Sequence, residues 1–187
     1  MIWTLIGGGP DAAAMLELCA PTGPVATTNA GLAVYPTPHY YYVTDVVARE
    51  KFRPVYMDAK QRGTKIVTPR RNDPAMMRAA DILIDCDPGL RADVYHPGKW
   101  THPALSGCAL AQFAANMGAR TINLVGYDGY ADGQPSSRFN GLQDAYLASV
   151  AASGILLVRY RRGRIETIEP PPPSIPQCTR SQAVPSA

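Results

Sequence analysis

Residues Met1–Pro21 read MIWTLIGGGPDAAAMLELCAP. An apolar run, Ile2–Ile6, meets three glycines, a proline and an acid, and a stretch of helix formers follows. Strand, glycine turn, helix is how a parallel α/β sheet builds a pocket at a strand's carboxyl end. We read Trp3–Ile6 as a strand and Ala12–Cys19 as a helix, with Pro10 at its first position. Gly7, Gly8 and Gly9 let the backbone turn sharply and approach a ligand. The helix start adds unpaired N–H groups and a partial positive charge. The same glycines also suit a tight turn with nothing bound. If they face a ligand, Gly8→Val removes binding and leaves the fold standing.

The turn is not the usual dinucleotide fingerprint. G-x-G-x-x-G needs a third glycine where Ala12 stands, and the ribose-binding acid expected after the second strand is Asn29. No G-K-[ST] follows, so NAD, FAD and Walker-type ATP chemistry are disfavoured. Asp11 would repel a phosphate at the helix start. It suits a ribose hydroxyl or a divalent metal instead.

The rest of the chain repeats the alternation. Strands are expected at Val25–Thr28, His39–Asp45, Lys65–Thr68, Ile82–Cys86, Thr121–Gly126 and Ile155–Tyr160. The last is turned into a hairpin with IETI by RRGR. Helices are expected at Val46–Phe52, within NDPAMMRAAD around Pro74, from Ser106 to a closing Gly118, and over Leu142–Ala152. Short strands separated by helices predict a Rossmann-like α/β domain: a mostly parallel sheet with helices on both faces. A domain over residues 1–168 is followed by a tail, 169–187, with six of the chain's 18 prolines and no apolar periodicity. That tail reads as disordered.

Composition narrows the class. The 187 residues are 46% hydrophobic and 18% charged, the balance of a globular chain. A net charge of +3 permits an anionic ligand without marking a nucleic-acid binder. No apolar run is long enough for a membrane span. Met1–Ile6 is too short for a signal sequence and lacks a basic start, so a cytoplasmic protein is expected. The four cysteines, Cys19, Cys86, Cys108 and Cys178, have no C-x-x-C spacing. Cys86 and Cys108 sit in apolar runs and read as small hydrophobes.

The stretch SGCALAQFAANMGARTINLVGYDGY (Ser106–Tyr130) carries a second glycine turn. Ser106 reads as the cap of a buried helix with Cys108, Leu110, Ala111, Phe113, Ala114 and Met117 inward and Gln112 and Asn116 on one edge. The strand that follows ends in GYDGY, which places Gly126, Asp128 and Tyr130 where ligands bind in open α/β sheets. Asp128 equally suits a D-G turn.

GGGPD, TTNAG, PHYYYVTD and this last stretch, in that order, resemble one superfamily. It holds the Campylobacter-type bacterial sialyltransferases, flagellin-glycosylation proteins and archaeal 6-hydroxymethylpterin pyrophosphokinase-like proteins. The resemblance spans Ile2 to Tyr130. It implies a Rossmann-like transferase with a nucleotide donor, and a nucleotide pocket lined by Gly7, Gly8, Gly9, Asn29, Ser106, Gly107, Asp128 and Tyr130. The sialyltransferases have asparagine at the Gly8 position, serine at the Asp11 position and a late histidine base. Here the histidines are His39, His96 and His102, all before GYDGY. Sialyl transfer as such is therefore disfavoured and the base is unassigned.

Other groups offer chemistry. His96 and His102 flank PGKW, and His102, nearer Ser106, is the catalytic candidate together with Asp128. Asp85 and Asp87 end a strand and suit magnesium beside a phosphate, or simply a D-P-G turn. PRRND and RYRRGR suit phosphates, or a solvated face. Without interleaved aromatics a nucleic-acid partner is not favoured. The leading expectation is glycosyl transfer from a nucleotide-sugar. The alternatives are a pterin-type pyrophosphokinase using ATP and magnesium, and a nucleotide-binding or sequestering protein without turnover. The small domain leaves little room for an acceptor lid, so a homo-oligomer is expected to complete the site. The acceptor is unspecified.

Overall fold

The computed structural model describes residues 1–44, 46–70, 74–129 and 134–171. Tyr130 and residues 172–187 of the expected tail lie outside them. The chain forms β1 (Ile2–Ile6), α1 (Ala12–Cys19), β2 (Val25–Thr28), α2 (Gly31–Val34), β3 (Tyr40–Tyr42) and α3 (Val46–Gln61). There follow β4 (Lys65–Pro69), α4 (Pro74–Ala79), β5 (Ile82–Ile84), α5 (Ser106–Asn116) and β6 (Thr121–Val125). A 3-10 turn, Pro135–Phe139, leads into α6 (Asn140–Ala151), β7 (Leu156–Arg161) and β8 (Arg164–Ile168).

One eight-stranded sheet has the order β5-β4-β3-β2-β1-β6-β7-β8. All pairings are parallel except the β7–β8 hairpin. The fold is α/β and Rossmann-like. Period-two alternation sorts the side chains of each strand to opposite faces. Trp3 and Leu5 of β1 pack with α5 and α6, whereas Ile6 packs with α1. On the α5 face Phe113, fully buried, meets Trp3 edge-on at 5.9 Å between ring centroids. On the other face Tyr41 stacks on Tyr56 of α3 at 5.6 Å.

The differences from the sequence reading have physical causes. Helix α3 runs through Pro54 to Gln61 instead of ending near Phe52. Pro54 is on the exposed side, and the turns beyond it bury Tyr56 and Ala59 against Tyr41 and Ile66. Tertiary burial outweighs the lost helix bond, a cost of about 3 kcal/mol or more. Strand β3 is shorter than His39–Asp45, and Asp45 itself lies outside the described residues. His39 is exposed and its ring reaches the β2 backbone, its Nδ1 accepting the Val25 N–H at 3.1 Å. Strand β5 stops at Ile84, before Cys86. The short helix α2 gave no sequence signal. Met117 is the C-cap of α5 and 40% exposed, so it is not part of the buried stripe. Gly118 and Gly154 take positive φ where they close their helices, as expected. Among the described residues no helix is long and apolar enough to cross a membrane.

A candidate ligand cleft at the strand switch

Chain order reverses beside β1: β2 to β5 lie on one side and β6 and β7 on the other. The loops after β1 and β6 leave a crevice at such a switch point. Here it is a cleft of about 590 Å³ at the carboxyl edge of the sheet. It is lined by Gly7, Gly8, Gly9 and Pro10 after β1, Thr28, Asn29 and Ala30 after β2, and Gly126–Gly129 after β6. Gly107, Gln134 and Gln143 also line it among the described residues.

The glycines serve packing first. A Cβ on Gly7 would stand 2.5 Å from the Gly126 carbonyl oxygen, and one on Gly9 would stand 2.6 Å from Asp128 Oδ2. The two turns are held together by Gly7 N–H on Val125 O (2.8 Å) and Gly9 N–H on Gly126 O (3.2 Å). A Cβ on Gly8 would meet the Ala30 Cβ at 2.7 Å. Gly8→Val therefore strains the turn, which corrects the expectation that it leaves the fold unharmed. Gly8 is exposed on the cleft, and its N–H has no protein acceptor among the described residues. Pro10 precedes the N-cap, Asp11, whose side chain makes no capping bond. Pro10 is thus outside the helix rather than its first residue.

Polar groups converge on the cleft. Asn29 follows β2 with φ +51°, a left-handed conformation that asparagine tolerates. Its Oδ1 is buried without a hydrogen-bond partner among the described residues, as are Thr28 Oγ1 and Asp128 Oδ2. Burial raises the Asp128 carboxyl above the ordinary carboxylate range. Arg161, then Arg159, opposes the rise, while the Asp11 charge adds to it. Arg161 ends β7, one position beyond the Val125–Tyr160 pair, and is itself 3.4 Å from Glu166. Tyr127 is buried beneath the loop. Its hydroxyl donates to Gly107 O at 3.2 Å, and Gln143 Nε2 donates to Tyr127 O at 3.2 Å. Thr28, Tyr127, Gln134 and Gln143 were missed in sequence. Only the position of Thr28, beside Asn29 at a strand end, held a signal.

The other expected residues are dispersed. Ser106 is the first residue of α5, after the N-cap Leu105, and not the cap. Its hydroxyl pairs with Thr44 Oγ1 at 2.9 Å, and its neighbour Gly107 lines the cleft. Asp85 pairs with Arg70, and Asp87 caps its own turn by accepting the Gly89 N–H at 2.8 Å. Both acids follow β5, five strands from β6, or about 24 Å at ~4.8 Å per strand. They do not join Asp128. Among the described residues no group of three His, Cys, Asp or Glu side chains comes together. His102 stands with Asp87 in a separate cavity at β4 and β5, and His96 Nε2 contacts Arg91 O at 3.1 Å. The Cys108 thiol is pushed up to about 12 by burial, so it is a small hydrophobe at neutral pH.

No family model matches the chain, and no curated protein matches its sequence. Among solved structures it resembles the MAf glycosyltransferase from Magnetospirillum magneticum AMB-1, with 14% identity and a TM-score of 0.48. The match covers 70% of this chain and 23% of that one, so the chain spans less than a quarter of that protein.

Proposed function

We propose that the cleft binds a nucleotide and that the chain is a nucleotide-dependent transferase of the glycosyl type, with a nucleotide-sugar as donor. The observation that carries this reading is the meeting of the exposed Gly8 N–H and the α1 start with the unpartnered Thr28 and Asn29 oxygens in one cleft. Backbone N–H groups at a helix start suit a phosphate. Hydroxyl and amide oxygens suit a ribose or base. The order of motifs from GGGPD to GYDGY supports the transferase class.

In glycosyl transfer an acceptor hydroxyl forms the new bond to the sugar's anomeric carbon and loses its proton to solvent, while the bond from that carbon to phosphate oxygen breaks and the nucleotide leaves with the electron pair. The Gly8 N–H and the α1 start would stabilise that developing charge, with a charged Asp11 at the N-cap opposing them. Asp128 favours this only when protonated, since its charged form repels phosphate. Among the described residues Asp11 and Asp128 are acids near one another in this region. They are where magnesium would sit in the pyrophosphokinase alternative.

Native mass spectrometry of freshly purified protein, followed by calorimetric titration of nucleoside mono- and diphosphates with and without EDTA, tests the reading. Binding that survives EDTA and weakens in Asn29→Ala is expected. Binding that requires magnesium, prefers ATP and collapses in Asp128→Asn favours pyrophosphoryl transfer. Absence of binding by any nucleotide overturns both.

A further inference from the structure

A second cavity, of about 270 Å³, opens on the same sheet edge at the ends of β4 and β5. Pro69, Ile84, Cys86 and Leu90 give it apolar walls, and Asp87 and His102 are its polar groups. This volume is just below the usual range for small-molecule sites.

The cavity is built by residues 85–105, which join β5 to α5 without a helix or strand. Connections of that length in a compact domain are uncommon and are usually functional or disordered. This one is fastened. Gln112 of α5 is fully buried and holds Thr101 at three atoms. Its Oε1 accepts the Thr101 N–H (3.1 Å) and hydroxyl (2.8 Å), and its Nε2 donates to Thr101 O (3.0 Å). Cys86 Sγ donates to the same carbonyl at 3.1 Å, and the Asp87 N–H donates to Trp100 O at 2.8 Å. The two ends of the loop therefore run side by side, and His102 and Asp87, each next to a fastened residue, share one wall. Arg70 is engaged by Asp85. Among the described residues the polar face that remains is the Asp87 carboxylate, which accepts hydrogen bonds from a donor and repels an anion, and the His102 imidazole, which can accept or donate one.

We propose that this cavity is a second small-molecule subsite, taking a ring-sized apolar body that carries a hydroxyl or ammonium donor. If the transferase reading holds, on which this part rests, it is the acceptor subsite. The Thr44–Ser106 pair at the end of β3 separates it from the glycine cleft. From β2 to β4 is two strand spacings, about 10 Å.

The test uses benzyl alcohol, benzylamine and benzoate as probes of the full chain, read by NMR of the histidine rings and the Leu90 and Ile84 methyl groups. His102→Gln assigns the His102 ring among the three histidines. Benzylamine and benzyl alcohol are expected to shift the His102, Leu90 and Ile84 signals, with benzoate at least tenfold weaker. Ala92→Trp, at an exposed rim position, is expected to abolish these shifts while leaving the nucleotide titration unchanged. Leu90→Trp, which fills the cavity from within, serves as the second variant. The proposal is overturned if no probe moves His102, if benzoate matches benzylamine, or if the shifts persist in both variants. A protein that binds the probes but no nucleotide retains the subsite and loses its role as acceptor site.

Discussion

The glycine cleft and the fastened loop lie on the same edge of the sheet and use their polar groups in opposite ways. Around the cleft Thr28 Oγ1, Asn29 Oδ1 and Asp128 Oδ2 are buried without partners among the described residues. Along α5, Gln112 holds Thr101 at three atoms, and the Asn116 amide serves Tyr95, Gly98 and Lys99. A buried polar group without a partner costs about 1–3 kcal/mol. Thr4, Thr27, Tyr41 and Tyr42 also bury unpartnered oxygens, so it is the position of Thr28, Asn29 and Asp128 on the cleft that supports the proposed ligand site, whereas the satisfied amides of α5 are architecture. The two kinds of site therefore answer mutation differently.

The largest effect is expected where the cleft's backbone is crowded. Gly126 has φ +69°, and a Cβ there would lie 2.8 Å from the Ala12 Cβ and 2.9 Å from Gly7 O. Gly126→Ala should cost roughly 2–5 kcal/mol, from left-handed strain plus overpacking. Denaturant unfolding measures it. A loss below 1 kcal/mol would mean that the two turns are not locked together.

Gln112→Leu comes next. It strands the Thr101 N–H and hydroxyl and the Tyr146 hydroxyl, leaves the Thr101 carbonyl with Cys86 Sγ alone, and should cost about 2–4 kcal/mol by the same measurement. Nucleotide affinity should hold. A parallel loss of affinity would make the loop and the cleft one unit.

Thr28→Val should change the sign. It removes a buried hydroxyl without a partner at nearly constant volume, so stability should stay level or rise by about 1 kcal/mol. Nucleotide affinity should fall roughly three- to tenfold, the worth of one hydrogen bond. Paired thermal melts and titrations check both halves. A destabilised variant with full affinity would assign Thr28 to packing alone.

The smallest effect concerns Asp128. Its folded-state pKa is raised, so the folded chain holds this proton more tightly than the unfolded one. The resulting contribution to stability is present below the ordinary value of 3.8 and is lost as pH rises through the folded value. Asp128→Asn should flatten that decline in Tm. It should also remove the part of the fall in nucleotide affinity that accompanies rising pH over the same window. An unchanged pH profile would show that Asp128 does not titrate in the cleft.

Much of this arrangement was legible in the sequence, and the illegible parts share a cause. The β1 turn, the apolar α5 stripe and the closing glycines are local patterns, set by backbone geometry and a 3.6-residue period. Gln112 and Asn116 were readable as one edge of α5, but not as the clasp of a loop. Their partners lie 11 to 18 residues away or further. Thr28 was hidden because a strand-end threonine has the same local appearance whether or not its hydroxyl is satisfied. Ser106 misled in the opposite way, since its sequence position is that of a cap and its hydroxyl is taken by Thr44 on a distant strand end. Asp85 and Asp87 looked like magnesium ligands beside a phosphate because strand ends are ligand territory. Only the strand order reveals that they stand five strands from β6, away from the glycine cleft.

The most direct measurement of the central claim is amide NMR of the full chain titrated with nucleoside mono- and diphosphates. The cleft predicts the largest shifts at Gly8, Gly9 and Asn29, with Gly98, Thr101 and the Gln112 side-chain amide unmoved. Shifts centred on Thr101 and Gly98, or none at Gly8, would contradict it.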